Sequence, residues 1–168
     1  MTTKSFMTIK NFMTLMFAAV VIVSGLCACG DDDDEPEAAV ATQVAGSYTG
    51  NEVIMVMGEE SSNGTATYEF AKASDITVDM TIPESGEGPM TIPKLVVKNI
   101  PLAKNGNSIA GKLASYTGIV TTASGSEKAY TVSNVTLLMN DKTMVVTFSL
   151  KYGNMPMSME TTFTGTRK

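Results

Sequence analysis

The chain has 168 residues, 43% of them hydrophobic, and a formal charge of −5, enough for one domain with its own core. It contains no His and no Trp, and both cysteines, Cys27 and Cys29, fall near the amino terminus. Those absences exclude an imidazole base, a Ser-His nucleophile, a His-ligated metal and, past Cys29, any thiol chemistry.

The first element is an address. Residues 1–10 carry Lys4 and Lys10 and no acid, and an apolar run from Phe12 to Leu26 follows. A basic start before an apolar run shorter than the ~20 residues of a spanning helix reads as a secretory signal. The run ends in Leu26-Cys27-Ala28-Cys29. This segment resembles the bacterial lipobox, with Leu three residues before a Cys and a small residue just before it. The resemblance implies cleavage after Ala28, a lipid on the Cys29 thiol and acylation of the new amino terminus. Several acyl chains, each CH₂ worth ~0.8 kcal/mol when buried, make such an anchor effectively permanent. A disulfide between Cys27 and Cys29 would close a strained ring and staple nothing.

Next come Gly30, Asp31 to Asp34, Glu35, Pro36 and Glu37. Like charges in a block repel one another and keep the chain extended, so residues 29–43 read as a flexible acidic tether. An acidic run behind a lipidated Cys also resembles the surface-export signal of some Gram-negative lipoproteins. That resemblance implies an outer-membrane lipoprotein displayed on the cell surface, with a periplasm-facing position as the alternative. A mobile run lacks the fixed oxygen cage calcium needs, so no metal is expected there.

From Ala38 the composition turns to Thr, Val, Met and Gly, and residues 44–168 read as the folded domain. Asp75 to Ile82 alternates strictly, which predicts a half-buried strand with Ile76, Val78, Met80 and Ile82 inward. Alternation over 143–152 likewise turns Met144, Val146, Phe148 and Leu150 inward and leaves Thr147, Ser149 and Lys151 outside. Turn-forming clusters divide the domain into eight runs. The runs are 47–57, 65–73, 75–82, 90–100, 108–121, 129–139, 143–152 and 157–167. Such short separators permit hairpins and leave no room for crossover helices. The expected fold is all-β, an eight-stranded antiparallel meander or closed barrel, with a two-sheet sandwich as the alternative. A transmembrane barrel is rejected, because three Phe and five Tyr beyond the signal are too few for two aromatic girdles.

Val44 to Gly50, Val97 to Pro101, Met155-Pro156-Met157 and Phe163-Thr164-Gly165-Thr166-Arg167 together resemble the calycin-like lipoprotein β-barrels. The domain is similar, more distantly, to lipocalins, where a first-strand aromatic packs under a basic residue of the last strand. That similarity implies Tyr48 under Arg167 at one barrel end.

No catalytic set emerges. Glu52, Glu69, Asp75, Asp79 and Glu160 stand in strand contexts beside polar neighbours, no phosphate loop is present, and no basic cluster suits nucleic acid. Methionine is abundant beyond the signal, with Met55 and Met57, and Met157 and Met159, projecting as pairs onto common strand faces. Thioethers fill core gaps or adapt to varied apolar ligands. Ala110, Gly111, Ala114, Ser115 and Gly118 pose the same question for 108–121, since their missing volume is either filled by neighbours or left as space. The expected function is non-enzymatic binding without a cofactor. Expected partners are the membrane through the lipid and a small apolar or amphipathic ligand in the barrel. The alternative is a protein- or glycan-facing module that binds through its loops on a filled barrel.

Overall fold

A computed structural model describes residues 38–88 and 91–168. The signal peptide, Cys29 and the acidic run to Glu37 therefore lie outside the described residues. Pro36–Lys168 forms one compact unit, and every buried hydrophobic side chain among the described residues belongs to a single core within it.

The element order is α1 (Val40–Val44), β1 (Gly46–Val56), β2 (Glu59–Lys72), β3 (Thr77–Ile82), β4 (Leu95–Asn105), β5 (Ser108–Thr121), β6 (Glu127–Asn140), β7 (Thr143–Tyr152) and β8 (Met159–Arg167). The eight strands close into an antiparallel barrel in chain order, the meander expected from the short separators. Closure comes from β1 pairing with β8, with Tyr48 opposite Arg167 and Gly50 opposite Gly165. The seam is tight enough that a Cβ on Gly50 would lie 2.0 Å from the Thr164 carbonyl oxygen.

Alternation sets the faces as read for β7, where Met144, Val146, Phe148 and Leu150 are buried. It holds for Val78, Met80 and Ile82 in β3 but fails for Ile76, which is 61% exposed. The reason is local. The Ala73 and Ser74 amides both donate to the Thr77 carbonyl, and the Ser74 hydroxyl accepts from the Ile76 amide at 3.3 Å. This turn precedes the strand, so Ile76 never joins the pleat that would aim it inward.

Two strands are displaced by five residues or more from the sequence reading. Glu59 to Gly64 is polar and turn-like but forms the start of β2, because the hairpin turns at Met57-Gly58 instead. Both of those residues have positive φ (55° and 83°), as two-residue hairpin turns demand. β4 starts later and runs through Pro101. Proline is tolerated there beside a bulge at which Asn99 takes φ 57° and its amide donates to Asp79 Oδ1 at 2.8 Å. Finally, α1 takes in residues 40–43 of the stretch read as tether and ends on Val44. Its Ala41 and Val44 are fully buried, and the Ala41 amide donates to the Asp75 carbonyl at 3.0 Å.

In an antiparallel meander the odd-to-even turns share one barrel end. Turn 57–58 and segments 83–88, 91–94, 122–126 and 153–158 therefore lie together, opposite α1 and turns 73–76, 106–107 and 141–142. The wall is uneven toward the first end. β5 pairs with β6 along its whole length, but with β4 only over Ser108–Gly111. β2 likewise pairs with β3 only over Glu69–Lys72.

Candidate functional site

The two barrel ends differ in chemistry. At the α1 end the Arg167 guanidinium sits 5.4 Å from the Tyr48 ring centroid, and its Nη2 donates to the carbonyls of Ala45 (2.8 Å) and Gln43. The Tyr48 hydroxyl donates to the Val44 carbonyl at 2.9 Å, with Met139 Sδ 3.2 Å away. Phe70 meets the Tyr48 ring edge-on at 5.5 Å. Burial pushes the Tyr48 phenol above its ordinary pKa, and the Arg167 charge opposes that shift. The aromatic–cation pair expected from the lipocalin resemblance is present, and with α1 it fills this end.

Small residues along β5 do not leave an internal void where they face inward. A Cβ on Gly118 would lie 2.5 Å from the Tyr130 ring, and one on Gly111 would lie 3.0 Å from Leu102. Larger neighbours have taken both spaces. Ala114 and Ser115 are exposed on the outer wall, and Ala110 is half-buried.

Methionine divides three ways. Met80, Met139 and Met144 are buried core. The expected Met55–Met57 face does not form, because Met57 is 79% exposed in the hairpin turn. Nor does the Met157–Met159 face, since Met157 precedes β8 and is exposed while Met159 packs against the core.

The middle of the interior is aromatic and contains one carboxylate. Tyr68, fully buried, stacks 4.3 Å from Phe163 and 6.4 Å from Phe148. Its hydroxyl donates to Glu52 Oε1. Glu52 shares the strand face of Tyr48, opposite Phe163 of β8, and is half-buried. Burial first, and the Glu52 charge second, hold the Tyr68 phenol far above its ordinary pKa, so it remains a donor. The four other carboxylates singled out from the sequence do not converge with Glu52. Glu69 and Glu160 are exposed on alternate outward positions, Asp79 supports the Asn99 bulge, and Asp75 pairs with Lys72 at 2.7 Å on the surface. Lys72 holds the Asp75 carboxyl below its ordinary pKa. Among the described residues no three His, Cys, Asp or Glu side chains gather as a metal site.

Beyond Glu52 the lining is half-buried. Leu113, Tyr116, Val120, Met155 and Met159 pack on the core without being enclosed. The Tyr130 hydroxyl donates to the Val96 carbonyl (2.7 Å) and accepts from its amide (3.3 Å), bridging β6 to β4 where β4 and β5 have parted. Burial raises the Tyr130 phenol above its ordinary pKa. Lys128 Nζ lies 5.3 Å from the Tyr152 ring centroid. The Tyr152 hydroxyl is buried, and among the described residues nothing pairs with it.

A closed antiparallel barrel with one end plugged and an apolar interior is the architecture of small barrels that are either packed solid or hold one small ligand. The family model of the calycin-like β-barrel domain matches residues 44–166, and the chain belongs to that family. The fold is also similar to a crystal structure of a "putative outer membrane protein" from Bacteroides fragilis NCTC 9343, with a TM-score of 0.60 and 17% identity over 77% of this chain. The chain spans 53% of that protein's length. Among curated proteins, none matches the sequence.

Sequence reasoning grouped Glu52 with the surface acids. Its signal was present in the run Tyr48, Gly50, Glu52, Ile54, Val56, where every second residue shares the face of Tyr48. The unpaired Tyr152 hydroxyl had no such signal, because only the assembled barrel determines what surrounds it.

Proposed function

We propose that this protein is an outer-membrane lipoprotein, anchored through Cys29, whose barrel takes one small apolar or amphipathic molecule at its open end without chemical turnover. The observation that carries this reading is the asymmetry of the interior. One end is closed by α1, Tyr48 and Arg167, while the other presents half-buried apolar side chains around the inward Glu52–Tyr68 pair. Apolar walls with a few convergent polar groups are what small-molecule sites require.

Native mass spectrometry of the protein purified from its own cells tests the ligand. The expected result is a co-purifying small molecule at one per chain, lost on unfolding. Repeated recovery of bare protein, with no shift in melting temperature against a panel of amphiphiles, overturns it. A specific observation supports the loop-binding alternative: Met57 and Met157, 79% and 42% exposed, stand on segments of the open end and would suit an apolar protein partner.

For the anchor, Cys29→Ser is expected to release the protein from membranes or leave it uncleaved. Persistence in membranes after alkaline washing overturns the lipid assignment. Surface display is read by external protease, which should lose access when Asp31 to Glu35 are replaced by Ser and Gly.

A further inference from the structure

Glu52 is out of place in a packed barrel. It faces the interior beside Phe163, and among the described residues its one hydrogen-bond partner is the neutral Tyr68 phenol. The inward cation at the other end, Arg167, gives its Nη2 to the Gln43 and Ala45 carbonyls and lies over the Tyr48 ring, while its buried Nε has no partner among the described residues. Lys128 rests over Tyr152. Among the described residues the Glu52 carboxylate has that one neutral donor and no ion pair, which leaves its second oxygen without a partner. Tyr68 does not relieve the charge either, since it stays protonated and contributes a dipole only. The carboxylate is nevertheless partly exposed, with an apolar lining of Leu113, Tyr116, Val120 and Met159 between the core and the open end.

We infer that Glu52 is the head-group acceptor of the barrel's ligand, and that the ligand is an apolar molecule bearing a single ammonium head. This deepens the proposed binding role and rests on it. The ammonium would sit against the Glu52 oxygen that Tyr68 leaves free, forming a charge-assisted hydrogen bond that none of the described residues supplies. Its tail would lie along the half-buried lining. A carboxylate-headed chain of equal length meets like-charge repulsion at the same point.

Three probes with one tail separate the possibilities: dodecylamine, dodecanol and dodecanoate, each below its aggregation threshold. Residues 36–168 suffice as the protein, because that unit contains the closed barrel and its core. Calorimetric titration is expected to rank the amine about tenfold or more above the alcohol, with the carboxylate weakest. Glu52→Gln preserves shape and still accepts from Tyr68, so the variant should lose its preference for the amine over the alcohol. An unchanged far-UV spectrum and urea midpoint report that the variant is folded. Equal binding of amine and alcohol by the parent protein, or an amine preference that survives Glu52→Gln, overturns the head-group assignment and leaves the barrel site standing. Failure of all three probes to bind overturns the barrel site and the assignment with it.

Discussion

Gly118→Ala probes whether the interior is packed as tightly as the geometry implies. The added methyl would sit 2.5 Å from both Cζ and Oη of Tyr130. Restoring ordinary van der Waals contact needs the ring to move by roughly an ångström. Tyr130 is not free to do so. It is 5% exposed, its hydroxyl is held to Val96 at 2.7 Å, and Tyr116 flanks it with a centroid separation of 6.2 Å. Overpacking of this kind costs roughly 1–3 kcal/mol. Loss of the Val96 hydrogen bond adds about 0.5–1.5 kcal/mol. Removing a glycine from a strand returns about 0.5–1 kcal/mol. The expected net destabilisation is about 0.5–4 kcal/mol, read as a lower urea midpoint with an unchanged slope. Gly64→Ala is the control, since a Cβ there meets nothing within 4 Å, and it should be neutral or stabilising. In a Tyr130→Leu background the Gly118→Ala cost should fall close to zero, because the clashing atoms are gone. If Gly118→Ala is as stable as the parent, or equally costly with and without the Tyr130 ring, the interlock between β5 and β6 is wrongly described.

Val78→Asp should unfold the domain by burying an unpaired charge, while Ile76→Asp should change the melting temperature little; equal effects would refute the placement of the 73–76 turn. Arg167→Gln should cost about 1–3 kcal/mol from the lost ring contact and weakened carbonyl bonds, measured by thermal unfolding, and Tyr48→Leu should make that substitution milder. The Tyr68 contribution to stability should be constant up to ~10, the ordinary phenol pKa, because Tyr68 is protonated in both states there. Above it the unfolded chain releases that proton and the folded one keeps it. Stability then falls by up to about 1.4 kcal/mol per pH unit for Tyr68 alone, and spectrophotometric titration showing every tyrosine ionising near pH 10 in the folded state would refute this.

Local pattern sufficed wherever a strand has one wet and one dry face. Alternation in β7 named its four buried residues, and the short turn clusters dictated a meander, because two-residue periodicity and hairpin-length connections are properties of neighbouring residues. The same rule overreached at Ile76, where a Ser74–Thr77 turn interrupts the pleat, and stopped early at Pro101, which a bulge accommodates. Residues far apart in sequence needed the tertiary fold. Closure of β8 on β1 puts Arg167 over Tyr48, Tyr130 occupies the space Gly118 leaves, and Glu52 and Tyr68 meet beside Phe163. Parity along a strand tells which way a side chain points. What it then touches depends on register between strands and on the volumes of side chains from the rest of the barrel, and those are fixed only when the ring of strands is complete.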